Sequence, residues 1–407
     1  QKFITDFTQG SVPKQLLRFA TPLFLANLLQ VVYNMADMVI VGQVMGSVGL
    51  SAVSVGGDVS NLLTFVAMGF ASAGQVIIAR LIGGGERKKL SRFVGTMVGF
   101  LAVAAMVMSG VGLLLQDTML TLMKTPDEAY EGAVAYSTVC MAGLIFIYGY
   151  NITSAILRGM GDSTRPFIFI CISAVLNLIL DVDFVAGLRM GAGGAALATV
   201  ISRYVEMAIV IVYAHNEKRY PFMKGLLRTL RVPAGLVKKI LIMGAPLFAN
   251  ELLWSIGTTF ISQLYSERGL DVVAATNISN TVSNLFTTAV FSMGNAAAVL
   301  VGQALGANEL PRARQTAWRL LAFSVFISLI TGAALAVSAP FIPRLYNTSE
   351  EIRILATRFL WISCINMPFM AFAHTSYFTL RSGGKTLMTF MFDCLPLWAV
   401  NIPLCFV

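Results

Sequence analysis

Leu157-Arg158-Gly159-Met160-Gly161 returns 223 positions later as Leu380-Arg381-Ser382-Gly383-Gly384. The same offset carries Ile82-Gly83 and Glu86 onto Leu305-Gly306 and Glu309, and Asn27 onto Asn250. One spacing shared by three separated sites describes a duplicated unit of about 220 residues. Two copies of one unit predict two lobes around a central path.

Composition places that unit in a membrane. Of 407 residues, 57% are hydrophobic and only 12% charged, with a mean hydropathy of +0.76. So little polar surface does not cover a water-soluble protein of this size. Eleven apolar runs are long enough to cross a bilayer as helices: 20–42, 50–79, 93–115, 133–156, 166–187, 193–214, 240–264, 272–301, 317–341, 355–379 and 387–407. Membrane β-strands need alternation, and stretches such as 101–108 show none. The fold class is therefore an all-α integral membrane protein.

Six runs fill the first copy and five the second. The chain stops at Val407 inside an apolar run, so a twelfth helix is expected beyond it, completing two parallel six-helix repeats. Of 29 Lys and Arg, 22 fall in the N-terminal arm and the even-to-odd connections, including Arg87, Lys88, Lys89, Lys218, Arg219, Lys224, Arg228 and Arg231. The positive-inside rule then puts the N-terminus in the cytoplasm. The net charge of +9 follows from topology and requires no nucleic-acid partner. Four segments result: a cytoplasmic arm over 1–19, amphipathic through Lys14, Leu16, Leu17 and Phe19; a first lobe over 20–214; a cytoplasmic linker over 215–239; and a second lobe over 240–407.

Cys140, Cys171, Cys364, Cys394 and Cys405 stand singly in apolar runs, without disulfide or metal spacing. HExxH, P-loop and GxSxG motifs are absent, which argues against a hydrolase or an ATP-driven pump. No cofactor is expected, and energy must come from an ion gradient or from the substrate's own gradient.

Acids at bilayer depth carry the chemistry, because each costs several kcal/mol unless paired, protonated or facing water. Counting 1.5 Å per residue from the inner face, Asp37 lies roughly 25 Å up the first run and Asp181 roughly 22 Å up the fifth. Thr199, descending the sixth run, reaches similar height, and Asn177 sits one turn below Asp181 on the same face. Two carboxylates, an amide and a hydroxyl suit a hard cation such as Na⁺, or a carboxylate pair sharing protons. A hydrogen-bond network that only locks three helices is the other reading of the same residues.

Arg203 and Glu206, three apart on the sixth run, read as an internal ion pair, and Asp393 as a partner for inner-loop cations. Glu251, near mid-depth of the seventh run beside Asn250 and Trp254, is a candidate second acid or substrate contact. Pro22 and Pro246 are candidate hinges, or simply helix starts.

These residues resemble the MATE (multidrug and toxic compound extrusion) family. The likeness rests on Pro22 followed by Asp37, Asn177-Leu178-Ile179-Leu180-Asp181, Ala195-Ala196-Leu197-Ala198-Thr199, Val301-Gly302-Gln303 with Gly306-Ala307, and Leu157-Arg158-Gly159. The resemblance implies a two-lobed, twelve-helix antiporter of the bacterial inner membrane. It implies export of bulky, often cationic and lipophilic compounds in exchange for Na⁺ or H⁺, conferring drug resistance, with the protein working as a monomer. The family's first-lobe cation site carries over onto Asp37, Asn177, Asp181 and Thr199, and its acid of the seventh helix onto Glu251. Some branches have a further carboxylate in the tenth helix; here 355–379 holds no Asp or Glu, and His374 is its titratable substitute. A flippase for lipid-linked precursors, built on the same superfamily repeat, is the alternative function, and it predicts a strongly cationic cavity.

Overall fold

A computed structural model describes residues 11–216, 233–266, 268–346 and 348–405. Among them every regular element is a helix and no strand occurs. The first helical stretch, Val12–Gly83, is 72 residues long. At 1.5 Å per residue it measures roughly 108 Å, over three hydrocarbon thicknesses, so it cannot be one crossing. Gly46 breaks it with φ 67° and ψ −159°, a backbone state open to glycine and strained for other residues. The break divides the stretch into α1 (12–45) and α2 (47–83).

The remaining helices follow in order. α3 is Arg87–Leu122, and α4 is Asp127–Ala142 and Leu144–Gly159, bent by 54° at Gly143. α5 is Thr164–Asp181, continued by a π-helical turn at Val182–Gly187, and α6 is Gly191–Asn216. α7 is Ala234–Ser266, α8 Leu270–Gly306, α9 Leu310–Ser338 and α10 Glu350–Ser382. α11 starts at Thr386–Pro396 and runs through a π-turn to Leu404. With the bent pair taken as one span, the described residues hold eleven helices, as the eleven apolar runs predict.

Large apolar side chains point outward along these helices, Leu114 at 85% exposure and Phe369 and Ile365 among them. Water would penalise such a surface, whereas lipid tails solvate it. Together with the helix lengths, it makes the chain a multi-pass membrane protein.

By contacts the chain forms two compact units, one spanning Leu29–Phe248 and the other combining the described residues up to Leu28 with Ala249 onward. The division thus falls inside α1 and α7, beyond the points at which the apolar runs begin. In the first unit, a core of Val41, Val53, Tyr136, Val185 and Ala196 joins α1, α2, α4, the π-turn of α5 and α6. In the second, Val282, Leu335, Leu360 and Met367 join α8, α9 and α10, and Nδ2 of Asn27 donates to Oγ of Ser292 at 3.2 Å.

The first turns of α7 belong to the first unit because α2 offers a glycine there. A Cβ on Gly69 would stand 2.6 Å from the backbone nitrogen of Phe248, closer than van der Waals contact allows. Gly69→Val is therefore expected to force the helices apart and lower the apparent melting temperature of the purified protein by several degrees, a cost of about 1–3 kcal/mol. A melting curve matching wild type would show that this approach is not a tight constraint.

Residues 1–10 of the expected arm, and 217–232 of the expected linker, lie outside the described residues. The rest of the arm, 12–19, runs directly into α1, with Leu16 and Phe19 buried. No breaker separates it from the first apolar run. Pro22 and Pro246 both lie inside their helices rather than at the starts, so each removes an internal backbone hydrogen bond.

Candidate functional site

Helical spacing brings the polar residues of the first unit onto facing sides. On α5, Ser173, Asn177 and Asp181 recur every four residues; on α6, Thr199, Ser202, Arg203 and Glu206 follow the 3–4 rhythm of one face. α1 contributes Tyr33 and, one turn later, Asp37. α5 leaves its α-helical pattern directly after Asp181, where the π-turn begins, a distortion that often accompanies function.

The four residues singled out by depth lie close together. The carboxyl groups of Asp37 and Asp181 meet within hydrogen-bonding reach. Asp181 is 0% and Asn177 3% exposed. Both oxygens of Asp181, the amide oxygen and nitrogen of Asn177 and one oxygen of Asp37 are buried without a hydrogen-bond partner. The Tyr136 hydroxyl lies close to Thr199 and within electrostatic reach of Asp37. Two ionised carboxylates have no proton to offer each other, so this arrangement calls for a cation or a proton between them.

The orphaned oxygens fit a hard cation: carboxylate and amide oxygens of Asp37, Asp181 and Asn177 are buried with unused lone pairs. Asp37, Asn177, Asp181 and Thr199 bring oxygen ligands and neither the imidazole nitrogen nor the thiolate sulfur that zinc or copper prefer.

Beneath this group is a second polar layer. The guanidinium of Arg203 donates to Glu206 at 2.8 Å and to the Tyr33 hydroxyl at 2.7 Å, and it lies over the Tyr150 ring at 4.6 Å. The ion pair expected from spacing is thus present, with Glu206 fully buried. Ser173 Oγ donates to the Ser202 carbonyl at 3.1 Å. A cavity of about 10 Å³, lined by Tyr33, Ser173, Asn177, Thr199, Ser202 and Arg203, connects the layers and gives room for about one water. Tyr33 and Ser173 were legible as the residues one turn from Asp37 and Asn177. Tyr136 comes from another helix with no sequence signal.

The second-lobe candidates fall around Asp393. Nδ2 of Asn250 donates to Asp393 at 2.8 Å, so Asp393 is engaged by α7 rather than by the inner-loop cations expected from sequence. Its nearness to Lys385 in sequence is overridden by packing of α11 on α7. Glu251 and His374 each lie within electrostatic reach of Asp393, and His374 meets the Phe291 ring edge-on at 4.6 Å. Trp254, by contrast, is 40% exposed.

Comparison with known proteins matches this architecture. A family model described as MatE fits residues 22–182 and 246–407. The chain is 27% identical over 409 residues to the probable multidrug resistance protein YoeA of Bacillus subtilis, covering 98% of this chain and 88% of that protein. It is 25% identical to the probable multidrug resistance protein NorM of Thermotoga maritima, covering 97% and 85%. Among solved structures, an outward-facing multidrug resistance MATE transporter of the MOP superfamily superposes with a TM-score of 0.91 at 23% identity, over 99% of this chain and 89% of that one. A MATE structure in the straight conformation gives 0.90 at 22% identity, over 98% and 88%.

Proposed function

Because the chain belongs to the MATE family of multidrug efflux transporters, we propose that it is a secondary antiporter of the bacterial inner membrane, its N-terminus cytoplasmic. It exports bulky, often cationic compounds in exchange for Na⁺ or H⁺ by alternating access. The observation that carries this reading is the Asp37–Asp181 pair with its unsatisfied buried oxygens.

Asp37 and Asp181 provide the charge that an incoming cation or proton neutralises, and Asn177 and Thr199 supply neutral oxygens to complete the site. Entry of the cation gives the pair the bridging partner it lacks and draws α1, which carries Asp37, toward α5 and α6. Pro22 leaves α1 one backbone bond short fifteen residues earlier, where bending is cheapest. Coupling requires that cation and cargo prefer opposite conformations, since a ligand shifts an equilibrium only through differential affinity.

The test is ethidium efflux from loaded, pump-deficient bacteria expressing the full-length protein, under an imposed Na⁺ or H⁺ gradient. Efflux is expected to accelerate with one gradient and to stop when that gradient is collapsed. Efflux indifferent to both would sink the antiport reading, and no efflux from a well-expressed protein would favour the flippase function.

Thr199→Val, which keeps shape and removes the hydroxyl, is expected to weaken the driving cation about tenfold, the value of one lost ligand of about 1–2 kcal/mol. The cation concentration giving half-maximal efflux measures it. An unchanged midpoint would exclude Thr199 from the site.

A further inference from the structure

α10 ends on a buried guanidinium whose Nε no acceptor satisfies. Arg381 is 3% exposed and its Nε has no hydrogen-bond partner; the group lies over the rings of Tyr377 and Phe378 at 5.7 and 5.5 Å. The first copy shows what this repeat position otherwise does. Arg158, 223 residues earlier, donates its Nε to Oε1 of Gln75 at 3.1 Å. The position 223 after Gln75 is Ala298, which offers no side-chain acceptor. The second copy has kept the cation and lost its ligand, although an unpaired guanidinium in an apolar interior is strongly unfavourable.

Two carboxylates stand near it within the second unit. Asn250 holds Asp393 at 2.8 Å and donates to the Tyr377 hydroxyl at 3.4 Å, so the ring under Arg381 and the acid share one amide. Glu251, the next residue on α7, lies within electrostatic reach of both Arg381 and Asp393. Among the described residues no ion pair within 4.0 Å joins Arg381 to either acid. The result is a site of split polarity: an open planar donor on α10 and two acids on α7 and α11.

We propose that Arg381, Glu251 and Asp393 bind compounds carrying an oxyanion and an organic cation together, the carboxylate or phosphate on Arg381 and the cation at the two acids. The inference rests on the reading of the chain as an exporter of small molecules and assigns the group that would take the anionic end of an amphoteric cargo. A guanidinium fork pairs an oxyanion through two parallel bonds, and the rings of Tyr377 and Phe378 fix its plane. An amphoteric drug and a zwitterionic phospholipid headgroup share this chemistry.

Rhodamine 110 carries a xanthylium cation with a free carboxylate, and rhodamine 123 is its methyl ester. Fluorescence anisotropy on the purified full-length protein, in detergent free of phospholipid, gives the ratio of acid to ester affinity. Arg381→Gln is expected to lower that ratio about tenfold, the loss of one charge-assisted pair. Arg381→Lys, which keeps the charge and loses the fork, is expected to lower it less. A ratio unchanged in the Lys and Gln variants overturns the site, because an arginine needed only for structure would weaken the two dyes alike. Should the Gln variant not fold, the Lys variant and the wild-type ratio decide; a wild type that binds the ester and rejects the acid also overturns it. Binding of neither dye by wild type is a different failure, that of the export reading, and removes the site with it. Dihexanoylphosphatidylethanolamine separates the sources: displacement of rhodamine 110 assigns the site to lipid headgroups, and no displacement to soluble amphoteric compounds.

Discussion

Asp181→Asn is expected to abolish gradient-driven ethidium efflux, lowering its rate about a hundredfold or more. The substitution keeps the side chain's shape and removes one of two charges, so packing of α5 survives. Removing the carboxylate that would pair with the bound cation costs roughly 2–5 kcal/mol, the value for one partner of a buried charge pair, and about 3 kcal/mol already corresponds to a hundredfold. Asp183 provides the internal control: two residues on, in the π-turn, its side chain is exposed, and Asp183→Asn is expected to transport like wild type. Normal gradient-driven export by a well-expressed Asp181→Asn variant would remove the carboxylate pair from the coupling mechanism. Equal loss in the two variants would point to damage of the turn rather than to the charge.

The second large effect is expected on stability. Glu206 is fully buried and pairs with Arg203 at 2.8 Å. Glu206→Leu would leave the Arg203 guanidinium with the Tyr33 hydroxyl and the Tyr150 ring, neither of which balances its charge. Breaking a buried pair from one side costs about 3–5 kcal/mol, whereas replacing both members with apolar groups is often neutral. The single variant is thus expected to lose expression and melt well below wild type, and Arg203→Leu with Glu206→Leu to recover most of that loss. Membrane proteins commonly unfold irreversibly, so the comparison belongs at one fixed scan rate. If the double variant is as unstable as the single one, the non-additivity that defines pairing is missing, and the instability must come from lost volume.

The two layers of the first unit divide the work differently. Arg203 and Glu206 satisfy each other, apart from one buried oxygen of Glu206 that lacks a partner. The Asp37–Asp181 layer is left open on nearly every buried atom. A structural network closes its hydrogen bonds, because each unsatisfied group in low dielectric is costly. On the antiport reading proposed above, the open layer is the one that a mobile cation or proton would complete.

Much of this protein was determined by sequence alone. Helix number, membrane residence and the two-copy organisation follow from apolar run length and a constant offset, because a bilayer leaves a backbone few ways to satisfy its own hydrogen bonds. The set Asp37, Asn177, Asp181 and Thr199 was legible too, since 1.5 Å per residue converts position into depth and i,i+4 spacing fixes the face. What only the tertiary structure decided is lateral: depth says nothing about which helices are neighbours. Tyr136 beside Thr199, Asp393 on Asn250 rather than on inner-loop cations, and Arg381 left without the acceptor that Gln75 gives Arg158 all depend on which helix packs against which. That choice is made by side-chain fit between whole helix faces, as where Gly69 admits the backbone of Phe248, and no single position in the sequence encodes it.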